Sequence, residues 1–438
     1  MDPTSTDLVV EPTLPPPLQG PLGAMIEDLN GVEVSFWHSW SEGMGAIFET
    51  LVAEFNAINE YGITVMPLYQ GEQNEMRSKM QAAITTSELP NLVVGYNYQY
   101  LAWEAIGDVI FDMTPYIQDP YFGFSEAEIA DFYPALWRLD DIEGERLGIP
   151  AYGAGQLYLY NFSWTQELGF NGPPTTPEEF KAQACAAAGA NNSDENAEND
   201  GTGGLLLKPN ASTMLQWIWA FGGEVEIPGV GYNFTTPEAT EALTFLYQLF
   251  AEGCAWIPKA KVPNVEFATR QGLFHASSID ALSLQRSAFD DAENEDQWGP
   301  IPFPTTSGEP LINLSGPSIA MVGSSLDKQL ASWIFIKWFS EPQTQAKWIV
   351  ASPYFPTRAS TLDLLQDHKT NHPLWASALE YLGYGKVEPR FESWSSVLYT
   401  VGDAATVITQ QSFTADQVPQ LLADLQAAVD KLHATTQE

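Results

Sequence analysis

Three short apolar runs, separated by two amphipathic stretches, fix what residues 32–96 can fold into. Val32-Glu33-Val34-Ser35-Phe36-Trp37-His38 reads as a strand, and from Met44 the residues Ile47, Phe48, Leu51, Val52, Phe55 and Ile58 recur at helical spacing. Gly62 ends that helix and Ile63-Thr64-Val65-Met66 opens a second strand. Met76, Met80, Ala83 and Ile84 mark a second helix, stopped at Leu89-Pro90, and Asn91-Leu92-Val93-Val94-Gly95 is the third strand. This order predicts an α/β fold, a parallel sheet with helices on its faces. Ligands gather beyond the carboxyl ends of such strands. Those ends carry Trp37-His38-Ser39-Trp40, Gln70-Gly71-Glu72-Gln73 and Tyr96-Asn97-Tyr98. They are aromatic and amide-rich, with no nucleophile set and no phosphate loop, so binding is expected before chemistry.

A chain of 438 residues is too long for one ordinary core, and two domains that exchange segments are expected. The 14 Trp and 17 Tyr exceed what a core needs and suit a carbohydrate site, where sugar C–H faces stack on rings. A formal charge of −38 repels nucleic acid and anionic lipid, so neither is expected as a partner. No apolar run reaches the roughly 18 residues of a membrane helix. No basic-then-apolar leader is present either, which fits a mature exported protein. Residues 1–30, with Pro15-Pro16-Pro17, read as a flexible tether or leader.

Further along, Thr176-Pro177-Glu178-Glu179 is a helix start, with Thr176 as N-cap and Glu179 closing the box. Cys185 and Cys254 are the only cysteines; they permit one disulfide, which export favours, or two separate thiols. The acidic loop 191–204 lacks the glutamate of a calcium site, Leu207 standing at the twelfth place, and reads as solvated surface. No metal and no cofactor are expected. Trp298-Gly299-Pro300-Ile301 suits an edge strand, and Ser315-Gly316-Pro317-Ser318 a strand broken by a bend.

The order of elements over residues 31–433 resembles the extracellular solute-binding proteins of ABC importers, in the branch of maltose- and glycerol-3-phosphate-binding proteins. The resemblance rests on Phe36-Trp37-His38-Ser39, Leu89-Pro90-Asn91-Leu92, and Leu147-Gly148-Ile149-Pro150 leading to Tyr158-Leu159-Tyr160-Asn161. It continues through Gln271-Gly272-Leu273-Phe274-His275-Ala276-Ser277-Ser278, Ser315-Gly316-Pro317-Ser318 and Tyr354-Phe355-Pro356-Thr357-Arg358. It implies a two-lobed periplasmic-binding-protein-like fold with discontinuous lobes, hinge crossings and a central ligand cleft. The expected lobes are 31–150 plus 318–355 and 151–317 plus 356–438, with crossings near Pro150, Gly316 and Pro356. The implied partners are a small-molecule ligand and a membrane permease, for an extracytoplasmic monomer, lipid-anchored in its precursor.

In the glycerol-phosphate branch a late arginine holds the phosphate, and Leu398 stands at the matching position; the acidic glycerol ligand falls near Asn97 and the tyrosine after the second strand near Gln73. Ser277 or Ser278, Gly316 and Tyr354 carry over. A phosphate without a cation is costly in a buried cleft, whereas a neutral polyol needs only carboxylates, amides and rings. The residues expected to meet it are Trp40, Glu42, Gln73, Tyr96 and Tyr98, then Tyr152, Trp217, Trp219 and Asp280, and Tyr354 and Trp394 late in the chain. His38 is expected as a satisfied structural histidine. A neutral carbohydrate receptor is the expected function, with a glycerophosphodiester-type ligand as alternative. A two-carboxylate glycoside hydrolase is the weaker third reading, since no nucleophile elbow, Walker loop or metal-binding His pair is present and no enzyme is expected.

Overall fold

The computed structural model describes residues 19–436. Strands β1 (Glu33–His38), β2 (Thr64–Tyr69) and β3 (Leu92–Gly95) pair in parallel in the order β2-β1-β3. Helices α1 (Glu42–Ile58) and α2 (Gln73–Thr86) connect them, and α3 (Asn97–Gly107) begins directly after β3. Phe48, Leu51, Val52 and Phe55 of α1 are buried as their spacing predicts. Ile58, the last helical residue, is instead 59% exposed, because the stripe there has run past the sheet edge.

The short strand β4 (Ile149–Pro150) belongs to this first sheet, and the chain then crosses into a second one. Its axis is β5 (Ala154–Asn161), against which β8 (Phe274–Ser278), β9 (Trp298–Ile301) and β10 (Ile312–Ser315) all run antiparallel. Strands β6 (Leu205–Leu206) and β7 (Ala255–Trp256) extend the far side. Alternation along β5 sends Leu157 and Leu159 into one core and Tyr158 and Tyr160 into the other, where they meet Phe180, Trp217 and Phe274. After β10 the bend at Gly316-Pro317 returns the chain to the first sheet as β11 (Ser318–Met321), and β12 (Gly385–Lys386) closes the second. The first sheet is therefore mixed, since β11 runs antiparallel to β3 and β4.

Three crossings join the two sheets, and they are bonded to one another. Gly153 and Phe355 exchange both backbone hydrogen bonds, at 2.9 and 2.8 Å, and the Ala151 N–H donates to the Pro317 carbonyl at 3.0 Å. A Cβ on Gly316 would lie 2.2 Å from the Tyr152 carbonyl oxygen, so only glycine lets the strands approach this closely. Beneath the crossings the buried Asp140 accepts a short hydrogen bond from the Ser318 hydroxyl.

Two further expectations change. Residues 19–30, read as tether, are packed: Ala24 and Leu29 are buried and Gly20 lies against Leu330 and Phe122. The remainder of that tether, residues 1–18, lies outside the described residues. Thr176 caps the helix Pro177–Asn191, but the Glu179 carboxylate closes onto Thr175, accepting from its N–H at 2.7 Å and its hydroxyl at 2.9 Å. Cys185 on that helix is disulfide-bonded to Cys254, 69 residues on. Among the described residues no helix is long and apolar enough to cross a membrane.

Burial raises the Asp140 carboxyl to about 6, against the opposing pull of Ser318, Arg146 and Arg390. The folded protein thus holds this proton more tightly than the unfolded chain, so the group costs stability as pH rises from about 4 to 6. Asp140→Asn should remove that cost, and the melting-temperature difference between variant and wild type should shift in favour of the variant across this window. The shift corresponds to roughly 3 kcal/mol; a pH-independent difference would refute the assignment. Replacing both cysteines by serine should destabilise the second lobe by about 4 kcal/mol, the closure entropy of a loop this long, read in denaturant titrations.

Candidate ligand site

The carboxyl end of β3 faces the crossings. Tyr96 caps α3, which points its own side chain and that of Tyr98 out of the lobe, where the two rings stack at 5.8 Å and 9°. Tyr152 and Tyr354, from two different crossings, stack at 4.0 Å and 16°. Burial first, then Tyr354 and Asp280, push the Tyr96 phenol up to about 12. Burial, Tyr96 and Glu388 do the same for Tyr98. All these phenols stay neutral in the physiological range and offer hydroxyls as donors and acceptors.

Tyr96 and Tyr98 form one wall of a cavity of about 200 Å³ whose other wall comes from β5, β10 and the segment after β12. Glu388 on that far wall is held by three donors: Ser212 Oγ at 2.8 Å, Trp394 Nε1 at 3.0 Å and, more loosely, Asn313 Nδ2 at 3.4 Å. The buried Asn313 Oδ1 has no partner among the described residues, and Asn313 lines the same cavity. Gln156 accepts from Gln216 Nε2 at 2.7 Å through its carbonyl oxygen. It lines both this cavity and a neighbouring polar one of about 250 Å³ that contains Ser277, Ser278 and Asp280. Among the described residues no arginine or lysine lines the first cavity, and Leu398 does.

Of the residues expected from sequence, Tyr96, Tyr98, Gly316 and Trp394 meet at the first cavity; Ser277, Ser278 and Asp280 meet at the second. Tyr152 and Tyr354 sit at the crossing beside Tyr96. Five others are corrected. Trp40 is core, 5% exposed, with centroids 4.7 Å from Phe48 and 4.9 Å from Trp348. Trp217 is fully buried against Phe180 and Phe245, because its side of the helix Ala211–Ala220 faces the sheet. Trp219 lines a separate groove of about 330 Å³ with Arg138 and Arg390. Gln73 spends its amide inside the first lobe, accepting from Ser39 at 2.7 Å and donating to Gln99 at 2.6 Å. Glu42 is exposed at the start of α1 and lines neither cavity. His38 is structural, packed against Trp40 and Phe48, but unsatisfied: among the described residues neither ring nitrogen finds a hydrogen bond of normal geometry, and burial lowers its pKa to about 4.

Sequence reasoning missed Gln156, Asn313 and Glu388. Gln156 and Asn313 are amides set into otherwise apolar strands, an interruption that is readable in the sequence. Glu388 is one acid among many and carries no such signal.

The solved structures similar to this chain have the same architecture. The cyclic α-maltosyl-1,6-maltose binding protein from Arthrobacter globiformis superposes with a TM-score of 0.76 at 21% identity, over 91% of this chain and 98% of that one. The sugar-binding protein MalE from Xanthomonas citri gives 0.77 at 20% identity, over 93% and 98%. UgpB from Mycobacterium tuberculosis, in complex with glycerophosphocholine, gives 0.69 at 17%, over 93% and 100%. No curated protein sequence matches. The fold is thus the two-lobed one that the sequence resemblance implied. The family model for bacterial extracellular solute-binding proteins matches residues 50–377, three quarters of the sequence, and the chain belongs to that family.

Proposed function

We propose that this protein captures a neutral carbohydrate for an ABC importer, binding it in the cavity at the crossings and closing its lobes over it. Family membership makes it an extracytoplasmic binding protein. The proposed lobes are residues 31–150 plus 318–355 and 151–317 plus 356–438, hinged near Pro150, Gly316 and Pro356. A monomer, lipid-anchored in its precursor and docking on a membrane permease, completes the reading, and no catalytic step is assigned to it.

The observation that carries the ligand class is the lining of the first cavity. Stacked tyrosines present flat faces for sugar C–H groups, while Glu388, Asn313 and Gln156 present fixed acceptors and donors for hydroxyls. Glu388 is held in place before any ligand arrives, which lowers the ordering cost of binding. A phosphate ester would need a cation there, and Leu398 occupies the corresponding wall. The sugar-binding proteins with this fold support the same class, and the glycerophosphocholine complex is the precedent for the runner-up.

Calorimetry against a saccharide panel should give saturable binding with at least one sugar and none with glycerol-3-phosphate or glycerophosphocholine. Tyr98→Ala and Glu388→Gln should each weaken the sugar about tenfold or more without lowering the melting temperature. Binding of the phosphodiester alone, or of no saccharide, would overturn the reading.

A further inference from the structure

The chain has five histidines, and two of them, His368 and His372, stand four residues apart. Against the expectation that no metal-binding His pair is present, this spacing sets both side chains on one face of a helix. They lie at the end of the helix Gln366–Asn371, and the helix Pro373–Ala378 starts directly after His372. Their rings stack, with centroids 4.1 Å apart and planes 27° from parallel.

Each ring is oriented by a contact of its own. The Nδ1 of His372 lies 3.0 Å from the His368 carbonyl oxygen, which can only accept. Nδ1 therefore carries the proton, and the lone pair is left on Nε2. A ring N–H that donates to a backbone carbonyl is what fixes the tautomer of a ligating histidine. His368 stands edge-on to Trp375, centroids 4.7 Å apart at 83°, and the Trp375 indole N–H donates to the Tyr354 carbonyl at 3.1 Å. Burial first, then His372, holds the His368 pKa below its ordinary value. That ring is neutral near pH 7, the form that ligates a metal.

We infer that His368 and His372 form a binding site for one divalent transition-metal ion, with water in its remaining positions. Zinc, nickel and copper take imidazole nitrogen, zinc at about 2.0–2.1 Å, whereas magnesium and calcium take oxygen. Two bonds of that length span rings 4.1 Å apart after a small splay. Lys369, the next residue, projects from a different face of the helix. A formal charge of −38 also raises the cation concentration near the molecule. Among the described residues the cluster Cys185, Glu252 and Cys254 offers no comparable site, because its two sulfurs are bonded to each other. The His pair lies outside both cavities, so the inference does not depend on the carbohydrate reading. An ion there would tie the helix Gln366–Asn371 to the start of Pro373–Ala378, whose Trp375 is bonded to the Tyr354 crossing.

The test is titration of the full chain, prepared without an affinity tag, with the chlorides of copper, nickel, zinc and magnesium. Calorimetry should give one site of sub-millimolar affinity, tightest for copper, weaker for nickel and zinc, and absent for magnesium. In protein labelled on its histidine ring carbons, copper should broaden the NMR signals of His368 and His372 first and spare those of His38, His275 and His433. His368→Gln and His372→Gln should each weaken binding about tenfold or more. Nickel should raise the melting temperature of wild type and not of either variant. Melting temperatures without metal control for folding, and His372, being exposed, tolerates the change even if His368 does not. No binding of copper or nickel, or binding that survives both substitutions, would overturn the site. So would equal binding of magnesium, which is what an acidic surface alone would give.

Discussion

The contact on which everything else depends is backbone against backbone at the three crossings. Gly153 pairs with Phe355, Ala151 with Pro317, and Gly316 lies against the Tyr152 carbonyl with no room for a side chain. These bonds are made by main-chain groups that would otherwise be buried and unpaired, so they are costly to lose. They bring Tyr152 and Tyr354 face to face and set the end of β3 opposite the edge of the second sheet. The cavity follows from that placement, since its two walls come from stretches far apart in the chain.

Charge is distributed with the same economy. The molecule is strongly acidic, yet the carboxylate at the cavity, Glu388, is held by neutral donors instead of a cation. Arginine is used elsewhere: Arg390 pairs with Glu226 at 3.0 Å and donates to the Asp141 carbonyl at 2.8 Å. Arg146 covers the Trp137 ring beside it. Arg138, Lys386 and Arg390 line the groove that contains Trp219, and the tyrosine-lined cavity is left to groups that bind hydroxyls.

Much of this was legible in the residues. The apolar periods of β1, α1 and α2 are strong because each has one wetter face and one dry face, while β3, buried throughout, showed as a continuous apolar run; the bend at Gly316 showed as glycine and proline inside a strand pattern. The aromatic site residues were harder. Trp217 and Trp219 are two positions apart on one helix, so they cannot share a face; one became core and the other lines a different groove. Trp40 follows the carboxyl end of β1, where ligand residues gather, but Phe48 and Trp348 enclose it. Glu388 could not be read at all, because a charged residue shows its role only through neighbours distant in sequence.

Where a sugar sits in this molecule decides its function. A crystal structure of the chain with its tightest-binding saccharide tests this most directly. It should show one ring between Tyr98 and Glu388, with Gln156 and Asn313 within hydrogen-bond distance of its hydroxyls and the crossings still paired. A sugar found in the groove beside Trp219 and Arg390, with the tyrosine-lined cavity holding only water, would contradict it.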